Sequence, residues 1–311
     1  MNRGFLVVTL PALLLAGSAC KDKPTERAAK ATAAKDFWPE APKPTKTTGS
    51  RTFAYKPENI AGYTMTASGG TPKGAKVALD FNMTLDLAFK AAEAANERNA
   101  FIKKLSLDMN AAGQKMNMLL DNDVMKVDAE GQTTTIKRGE PGPFDVGAMT
   151  DRPFTTVVFE PAGAVTVRTI TDHPFNQLGG DMLDEALVLL PDLPQGAVPP
   201  GHKWSVTHDT TIGGTGTRTK VTYDFVYVGD GACPSGGPAC SLFTFSATSP
   251  GVDVTTDQGM KVHASYGFAG KVYFDTDHGI VDESRSRADM DVKVQGMDME
   301  IGAVYLIKPH G

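Results

Sequence analysis

One segment, residues 76–89, alternates between large apolar side chains and smaller or polar ones. Successive side chains of a β-strand point to opposite faces of its sheet, so this alternation predicts a strand with one buried face. At about 3.3 Å per residue the strand would extend over about 40 Å, well beyond an average strand. Its apolar face needs a cover, either a second layer or the curvature of its own sheet. Seven side chains share that face: Val77, Leu79, Phe81, Met83, Leu85, Leu87 and Phe89.

The same pattern recurs later in the chain. Residues 76–81 match residues 220–225 at four positions, and residues 113–118 resemble residues 296–299, after an alternating segment in each case. These echoes favour a duplicated β-meander. The predicted fold class is therefore mainly β, with long curved antiparallel sheets and one or two covering helices.

The covering helices are predicted from two shorter segments. Residues 181–190 place three leucines on one helical stripe, after a glycine-rich entry and before a proline. This helix would lie in a connector, residues 171–200, between β-rich halves at 51–170 and 201–309. A second helix is predicted over residues 91–100 from its alanine content.

The N-terminus has the pattern of an export signal. Arg3 precedes a run of about a dozen apolar residues, too short to span a bilayer, and small residues then lead to Cys20. This resembles the lipobox of bacterial lipoproteins, in which the cysteine is lipidated and becomes the mature N-terminus. The resemblance implies a signal peptide over residues 1–19, a lipid on Cys20, and a cell-envelope location in the outer membrane or facing the periplasm. Gly17 stands where the family prefers leucine, and cleavage to a soluble secreted product is the alternative.

Cysteine usage agrees with export into an oxidising compartment. The chain has three cysteines. Cys233 and Cys240 flank a loop rich in Pro and Gly and are predicted to form a disulfide, which is worth about 2.5 kcal/mol in the chain-entropy model. That pairing leaves Cys20 alone, which favours lipidation of its thiol over a free reactive thiol.

After the predicted signal peptide, the chain consists of a short basic segment followed by a long acidic one. Residues 21–58 carry nine Lys/Arg and five Asp/Glu, a net charge of +4, whereas residues 59–311 carry 21 and 31, a net charge of −10. Residues 20–50 are rich in Lys, Ala, Pro and Thr and are predicted to form a flexible basic tether suited to anionic lipid headgroups. Residues 51–309 are predicted to form a single β-rich domain. Its acidic charge argues against nucleic acid as a partner.

A short motif opens the second half of the chain. Gly201, His202, Lys203 and Trp204 follow a proline-rich stretch. This layout is similar to a group of uncharacterised β-rich bacterial lipoproteins of unknown function, over about residues 155–306. In that group a Gly-x-x-Trp turn opens the second β half. The resemblance implies this fold and brings no activity with it.

Catalytic signatures are missing from the sequence. It has no Gly-x-Ser-x-Gly elbow, no His-Glu-x-x-His helix and no phosphate-binding loop ending in Lys-Ser/Thr. The six histidines are scattered along the chain, and we interpret them as surface or turn residues rather than as catalytic or metal-binding groups. We therefore expect a non-catalytic protein without a metal or cofactor.

Residues 275–279, Asp-Thr-Asp-His-Gly, begin like a calcium-binding loop. Alternate carboxylates in such a loop converge on the cation, but this one has no Glu at its twelfth position. It also lies between two alternating segments. We therefore predict a hairpin turn here.

Methionine is abundant, at 13 residues, and it occurs in two closely spaced pairs. Paired thioethers can bind Cu(I), but both pairs share their faces with Leu, Ile and Val, which favours packing. Thioethers are also adaptable liners of an apolar cavity. The lining that we predict for such a cavity consists of Phe81, Met83, Leu85, Met116, Met118, Met297 and Met299.

Three functional hypotheses follow from the sequence. The first is a structural or protein-partner-binding role for a lipid-anchored envelope protein. The second is a binding module for a lipid or another apolar ligand in a cavity under the long strands. An enzyme is the third. The expected partners are thus the membrane, through the N-terminal lipid, and either an envelope protein or an apolar ligand.

Overall fold

Fifteen strands form one large antiparallel sheet that does not close, as the sequence predicts for the fold class. A computed structural model describes residues 49–310 except 76–77, 130, 143–144, 171, 178–189, 212–217, 238, 250, 256–260 and 295–296. The predicted signal peptide, Cys20 and nearly all of the tether lie outside the described residues.

The bounds of the elements show how far the strands extend. The first half contains β1 (Arg51–Thr52), β2 (Gly62–Gly70), β3 (Leu79–Ala91), β4 (Glu97–Ala111), β5 (Gln114–Asp121), β6 (Val124–Ala129), β7 (Gln132–Lys137), β8 (Thr155–Phe159) and β9 (Val165–Thr169). The second half contains β10 (Ala197–Val198), β11 (Lys203–Thr211), β12 (Arg218–Gly231), β13 (Cys240–Thr248), β14 (Val252–Thr255), β15 (Lys261–Asp275), β16 (Ile280–Val294) and β17 (Met297–Pro309). The helical elements are a 3₁₀ turn (Pro57–Asn59), α1 (Val146–Asp151) and α2 (Pro174–Gln177).

Two six-stranded meanders make up the main path of the sheet, which contains 12 of its 15 strands. Strands β2 to β7 pair in chain order, and the second half pairs in the order β11-β12-β13-β15-β16-β17. Strand β17 pairs with β2, from Gly302 opposite Gly70 to Pro309 opposite Tyr63, so the two meanders form one continuous sheet. Outside this path, β14 pairs with β15, β8 pairs with β4 and β9, and β1 and β10 form a separate two-stranded sheet.

Strand β3 confirms the predicted alternation. Its odd-numbered residues from Leu79 to Phe89 are buried or partly buried against the core, whereas Asp80, Asn82 and Lys90 are exposed. We call the side of the sheet that carries these buried residues the inner face. The neighbouring strand β4 contains a β-bulge at Lys103, because Asp86 pairs with Lys104 and Leu87 with Ile102. The extra residue shifts the inward positions of β4 from even to odd numbers and keeps its apolar residues on the inner face.

The two pairs of similar sequence segments differ in whether they occupy equivalent strands of the two meanders. The first falls on the second strand of each meander, β3 and β12. Val221, Tyr223 and Phe225 of β12 are buried; of their counterparts in β3, Leu79 is buried, Phe81 is partly buried and Val77 lies outside the described residues. The second echo falls on the hairpins β4–β5 and β16–β17, which occupy different positions within their meanders. Only the first echo therefore marks equivalent places in the two halves.

The chain before β2 covers part of the inner face. Phe53 packs edge-on against Tyr227, Phe243 and Phe274, with ring centroids 5.1, 5.0 and 6.2 Å apart. The Tyr55 hydroxyl donates a hydrogen bond of 2.8 Å to the carbonyl of Pro191 in the connector. This segment and the connector therefore hold each other against the sheet.

The Gly-x-x-Trp motif opens β11, as predicted. Gly201 donates its backbone N–H to the Tyr227 carbonyl at 2.6 Å. Trp204 stacks on Phe225 with ring centroids 5.2 Å apart, and its Nε1 donates to the Asp192 carbonyl at 3.0 Å. The tryptophan thus joins the connector to the first two strands of the second meander.

One of the two helix predictions is wrong. The chain over residues 91–100 is the end of β3, a turn, and the start of β4, and Ala100 is a completely buried strand residue. Pairing between two long apolar strands overrides the local preference of alanine for a helix. The other predicted helix, residues 181–190, falls outside the described residues except for Leu190, which is buried. Helix α1, which neither prediction included, packs Val146 and Met149 into the core.

No helix among the described residues is long and apolar enough to cross a membrane.

The predicted disulfide between Cys233 and Cys240 is confirmed. It packs with Leu242 and Tyr273 in a small cluster separate from the main core. The loop between the cysteines is tied to the sheet because the backbone N–H of Ser235 donates to the Asp282 carboxylate at 3.1 Å. The disulfide is therefore a structural staple on a turn-rich loop.

Truncation of Leu85 tests the packed part of the inner face. Leu85 is completely buried, and we expect Leu85→Ala to lower the free energy of unfolding by about 3 kcal/mol through lost contacts and a residual cavity. Urea denaturation of the purified protein measures this loss. Asn82→Ala, on the exposed side of the same strand, is the matched control and should change stability by less than about 0.5 kcal/mol. Equal effects of the two substitutions would show that the face is assigned incorrectly.

Candidate functional site

Burial of the inner face changes abruptly from one row of cross-strand neighbours to the next. One row is tightly packed, and none of its side chains exposes more than 4% of its surface: Leu85, Leu105, Leu120, Met125 and Ile136. Helix α1 and strand β8 contribute residues to the core cluster that contains this row. In the next row, Met83, Leu107, Met118 and Val127 are all partly exposed. The inner face is therefore less covered at this second row, although Leu79, Met109 and Ala111 beyond it are buried again.

The partly exposed residues form a continuous apolar surface on four adjacent strands. Met83 pairs with Leu107, Leu107 with Met118, and Met118 with Val127, so their side chains are direct cross-strand neighbours. Phe81 and Met116 extend the surface toward the β4–β5 hairpin. We call this surface the Met-rich face; it consists of Phe81, Met83, Leu107, Met116, Met118 and Val127.

The predicted cavity lining divides among three locations. Phe81, Met83, Met116 and Met118 belong to the Met-rich face. Leu85 is completely buried in the packed row, and Met299 is buried on β17. The side chain of Met297 lies outside the described residues.

The two methionine pairs are not neighbours along the sheet. Strands β5 and β17, which carry them, are four strand spacings apart, or about 19 Å at 4.8 Å per strand. Met116 and Met118 instead lie among Leu, Val and Phe side chains of the Met-rich face. The order of the strands therefore does not favour a copper site shared by the two pairs.

Small residues lie beside the Met-rich face on β2, β16 and β17. Ala67, Ala288 and Ala303 are buried inward positions of these three strands. A Cβ atom on Gly69 would lie 2.9 Å from the Phe81 ring, so the ring extends over the glycine of the neighbouring strand. This glycine thus allows an aromatic side chain to lie flat on the sheet.

Charge is segregated to the outer face around this surface. On β16, Arg285 pairs with Glu283 and Arg287 with Asp289, all at positions that alternate with the inward Ser284, Ser286 and Ala288. Among the described inward positions of β2, β3, β5, β6 and β17, none is Asp, Glu, Lys or Arg. The inner face next to the Met-rich face is therefore uncharged.

A buried carboxylate, Asp192, fixes the connector to both halves of the sheet. One of its oxygens accepts the backbone N–H of Val165 at 2.7 Å, and the other pairs with Nε2 of His208 on β11. The hydrogen bond with Asp192 raises the pKa of His208, and this outweighs burial, which alone would lower it. Asp192 therefore acts as a structural anchor with its hydrogen-bonding capacity used by the fold.

A second buried carboxylate, Asp230, fixes the start of the domain. It accepts hydrogen bonds from Tyr227 and Ser241, both at 2.7 Å, and forms a salt bridge of 2.7 Å with Arg51 on β1. Burial alone would raise the pKa of this carboxyl, but the three hydrogen bonds outweigh it and the pKa is lowered. Burial, together with the hydrogen bond to Asp230 and the negative charge of this carboxylate, raises the pKa of Tyr227 to about 12.

Two further segments were singled out in the sequence, the histidines and the acidic residues 275–279. His173, interpreted as a surface or turn residue, lies in a turn, since its backbone N–H donates to the Ile170 carbonyl at 3.0 Å. Its side chain is nevertheless completely buried, and the ring accepts the backbone N–H of Phe175. Residues 275–279 form the predicted turn between β15 and β16, in which the Asp275 carboxylate accepts the N–H groups of Asp277 and His278. Its oxygens thus close the turn.

Asp282 and the two disulfide sulfurs bring three potential metal-ligand atoms within 4.8 Å of one another. The cysteines are bonded to each other and cannot act as thiolate ligands in this state. The carboxylate instead accepts hydrogen bonds from Ser235. We therefore assign this cluster to the structure of the loop.

No protein-family model matches this sequence, and no curated protein matches it. Among solved structures, one of lipid–protein interactions in lipovitellin is similar over 80% of this chain, with 8% identity and a TM-score of 0.44. The match covers 24% of the lipovitellin chain, so this chain spans about a quarter of that protein. A Bacteroides fragilis protein described provisionally as an outer membrane protein matches 82% of this chain and 99% of its own, with 10% identity and a TM-score of 0.14. Since both TM-scores are below 0.5, function is inferred from the chain's own residues.

The Asp192–His208 pair predicts a pH-dependent contribution to stability. Because the pKa of His208 is raised in the folded protein, its contribution is fully present below the unfolded pKa of about 6.5 and is lost as the pH rises through the folded pKa. We expect His208→Gln to lower the free energy of unfolding by about 1–2 kcal/mol at pH 6 and by less at pH 9. Urea denaturation across this range measures the difference. His263→Gln, which alters an exposed histidine–aspartate pair, is the control; a constant effect of His208→Gln at all pH values would contradict the assignment.

Proposed function

We propose that this chain is a lipid-anchored envelope protein that holds an acyl chain or a similar apolar ligand on its Met-rich face. The abrupt change from complete burial at Leu85 to partial exposure at Met83, Leu107 and Met118 carries the proposal. A contiguous and partly exposed apolar surface fits an interaction site, since its contact with water is unfavourable.

The chemistry of the face favours an acyl chain over a charged ligand. The inner face next to it is uncharged, so an ionic group placed there would have no partner and would lose its hydration. Methionine side chains are flexible and polarizable, so Met83, Met116 and Met118 can adapt to a ligand without a fixed shape. These features fit the contacts that a hydrocarbon chain makes.

The location is proposed from the sequence. The lipobox-like segment supports lipidation of Cys20, and the basic tether supports a position near anionic headgroups. The disulfide between Cys233 and Cys240 fits an oxidising compartment. A non-catalytic role stays a prediction from the absence of catalytic motifs.

A structural or partner-binding role is the second candidate, and the free edges of the sheet favour it. Strands β7 and β11 are the last strands of the main pairing order, and no described strand pairs with their outer edges. Thr133, Thr134 and Thr135 of β7 are exposed. An extended segment of another protein could add to such an edge through backbone hydrogen bonds.

Substitution of Met118 tests the first proposal. The purified domain should bind the neutral apolar fluorophore N-phenyl-1-naphthylamine, and Met118→Gln should weaken binding about fivefold, because a polar amide replaces about 1 kcal/mol of apolar contact. Fluorescence titration measures the affinity. Leu119→Gln is the matched control, since Leu119 is the next residue of β5 and is exposed on the opposite face.

Two results would contradict the proposal. Absence of fluorophore binding to the unmodified domain would show that the face is closed by the chain itself. An equal loss of affinity in Leu119→Gln and Met118→Gln would show that the fluorophore binds elsewhere. Capture of a protein on the β7 edge, without apolar ligand binding, would favour the second candidate.

A further inference from the structure

Two serine hydroxyls are buried inside the apolar inner face. Ser284 and Ser286 of β16 are both completely buried, and their Oγ atoms have no hydrogen-bond partner. A hydroxyl left without a partner in an apolar environment is unfavourable, because it has lost its hydrogen bonds with water. Two such groups on one strand are therefore unfavourable unless another group completes their hydrogen bonds.

The pairing register places Ser286 at the boundary between the packed core and the open surface. Ser286 lies opposite Tyr305 of β17, Tyr305 opposite Ala67 of β2, and Ala67 opposite Met83. Tyr305 and Met83 are partly exposed, whereas Ser286 and Ala67 are buried. The row that carries Met83 on the Met-rich face thus continues along the sheet to Ser286.

Ser284 lies one row deeper. Its cross-strand neighbours Val272 and Ile307 are both buried apolar residues. The two serines are two residues apart on the same face of β16, so their Cβ atoms are separated by about 7 Å. They form a short polar stripe that leads from the boundary into the core.

The chemistry of this stripe limits what can complete it. A serine hydroxyl donates one hydrogen bond and accepts up to two, but it carries no charge. The charged residues of β16 nearby, Arg285 and Arg287, are on the outer face and are paired with acidic residues. A carboxylate or phosphate beside these serines would meet hydroxyls but no Lys or Arg among the described inward residues of β2, β16 and β17, so its desolvation would be uncompensated.

We infer that the ligand of the Met-rich face is a neutral lipid with a hydroxyl or ester group, such as an acylglycerol or a fatty alcohol. Its hydrocarbon chain would lie on the Met-rich face. Its polar group would form a hydrogen bond with Ser286, and a second oxygen of a larger polar group could form one with Ser284. This inference rests on the proposed function, which it deepens by assigning the chemical class of the ligand.

Competition between ten-carbon ligands of different head groups tests the inference. Monodecanoylglycerol, 1-decanol and decanoate are added to the domain with bound N-phenyl-1-naphthylamine at pH 8, below the concentrations at which they aggregate. We expect monodecanoylglycerol and 1-decanol to displace the fluorophore at concentrations at least tenfold lower than decanoate. Ser286→Ala should weaken monodecanoylglycerol binding about fivefold and leave fluorophore binding unchanged, because the fluorophore needs no hydroxyl partner.

Ser68→Ala is the matched control, because Ser68 is an exposed serine of β2 on the outer face. A thermal unfolding curve of Ser286→Ala should show no loss of stability, since the substitution removes a hydroxyl without a partner. Equal competition by decanoate, or unchanged monodecanoylglycerol affinity in Ser286→Ala, would overturn the inference while the fluorophore still binds. Failure of the fluorophore itself to bind would overturn the proposed function and the inference together.

Discussion

The pairing of β17 with β2 is the interaction on which the rest of the structure depends. It joins the last strand of the second meander to the first long strand of the first, over eight residue pairs from Gly302–Gly70 to Pro309–Tyr63. Without it each meander would expose a further strand edge. With it the inward residues of both halves form one apolar surface, and the aromatic core around Phe53 and the Met-rich face belong to the same sheet.

Charge supports this arrangement by fixing the segments that cover the inner face. Asp192 holds the connector to β9 and β11, and Asp230 holds Arg51 at the start of the domain. Both carboxylates are buried and satisfied by hydrogen bonds, which offsets the cost of removing them from water. The cover they hold is partial, and the Met-rich face is a partly exposed region of the inner face.

The sequence predicts most of this sheet because alternation is a local property. The pattern at residues 76–89 identifies β3 and its buried face, and the acidic sequence at residues 275–279 identifies a turn. The bulge at Lys103 could not be predicted, since it depends on how β4 pairs with β3. Asp192 and Asp230 were also missed, because an acid beside Pro or Gly is typical of a turn. Their burial depends on partners far along the chain, such as Arg51, which is 179 residues from Asp230.

Cross-linking of β17 to β2 tests the central claim most directly. Thr66 and Leu306 are directly opposed in the register and lie on the same face. In a Cys20→Ser background, cysteines at both positions should form a disulfide on mild oxidation, as detected by mass spectrometry of non-reduced peptides, because opposed strand residues lie within bridging distance. Cysteines in place of Thr66 and Tyr305, which point to opposite faces, should not. Failure of the first pair to bridge, or equal bridging by both pairs, would contradict a single sheet with this register.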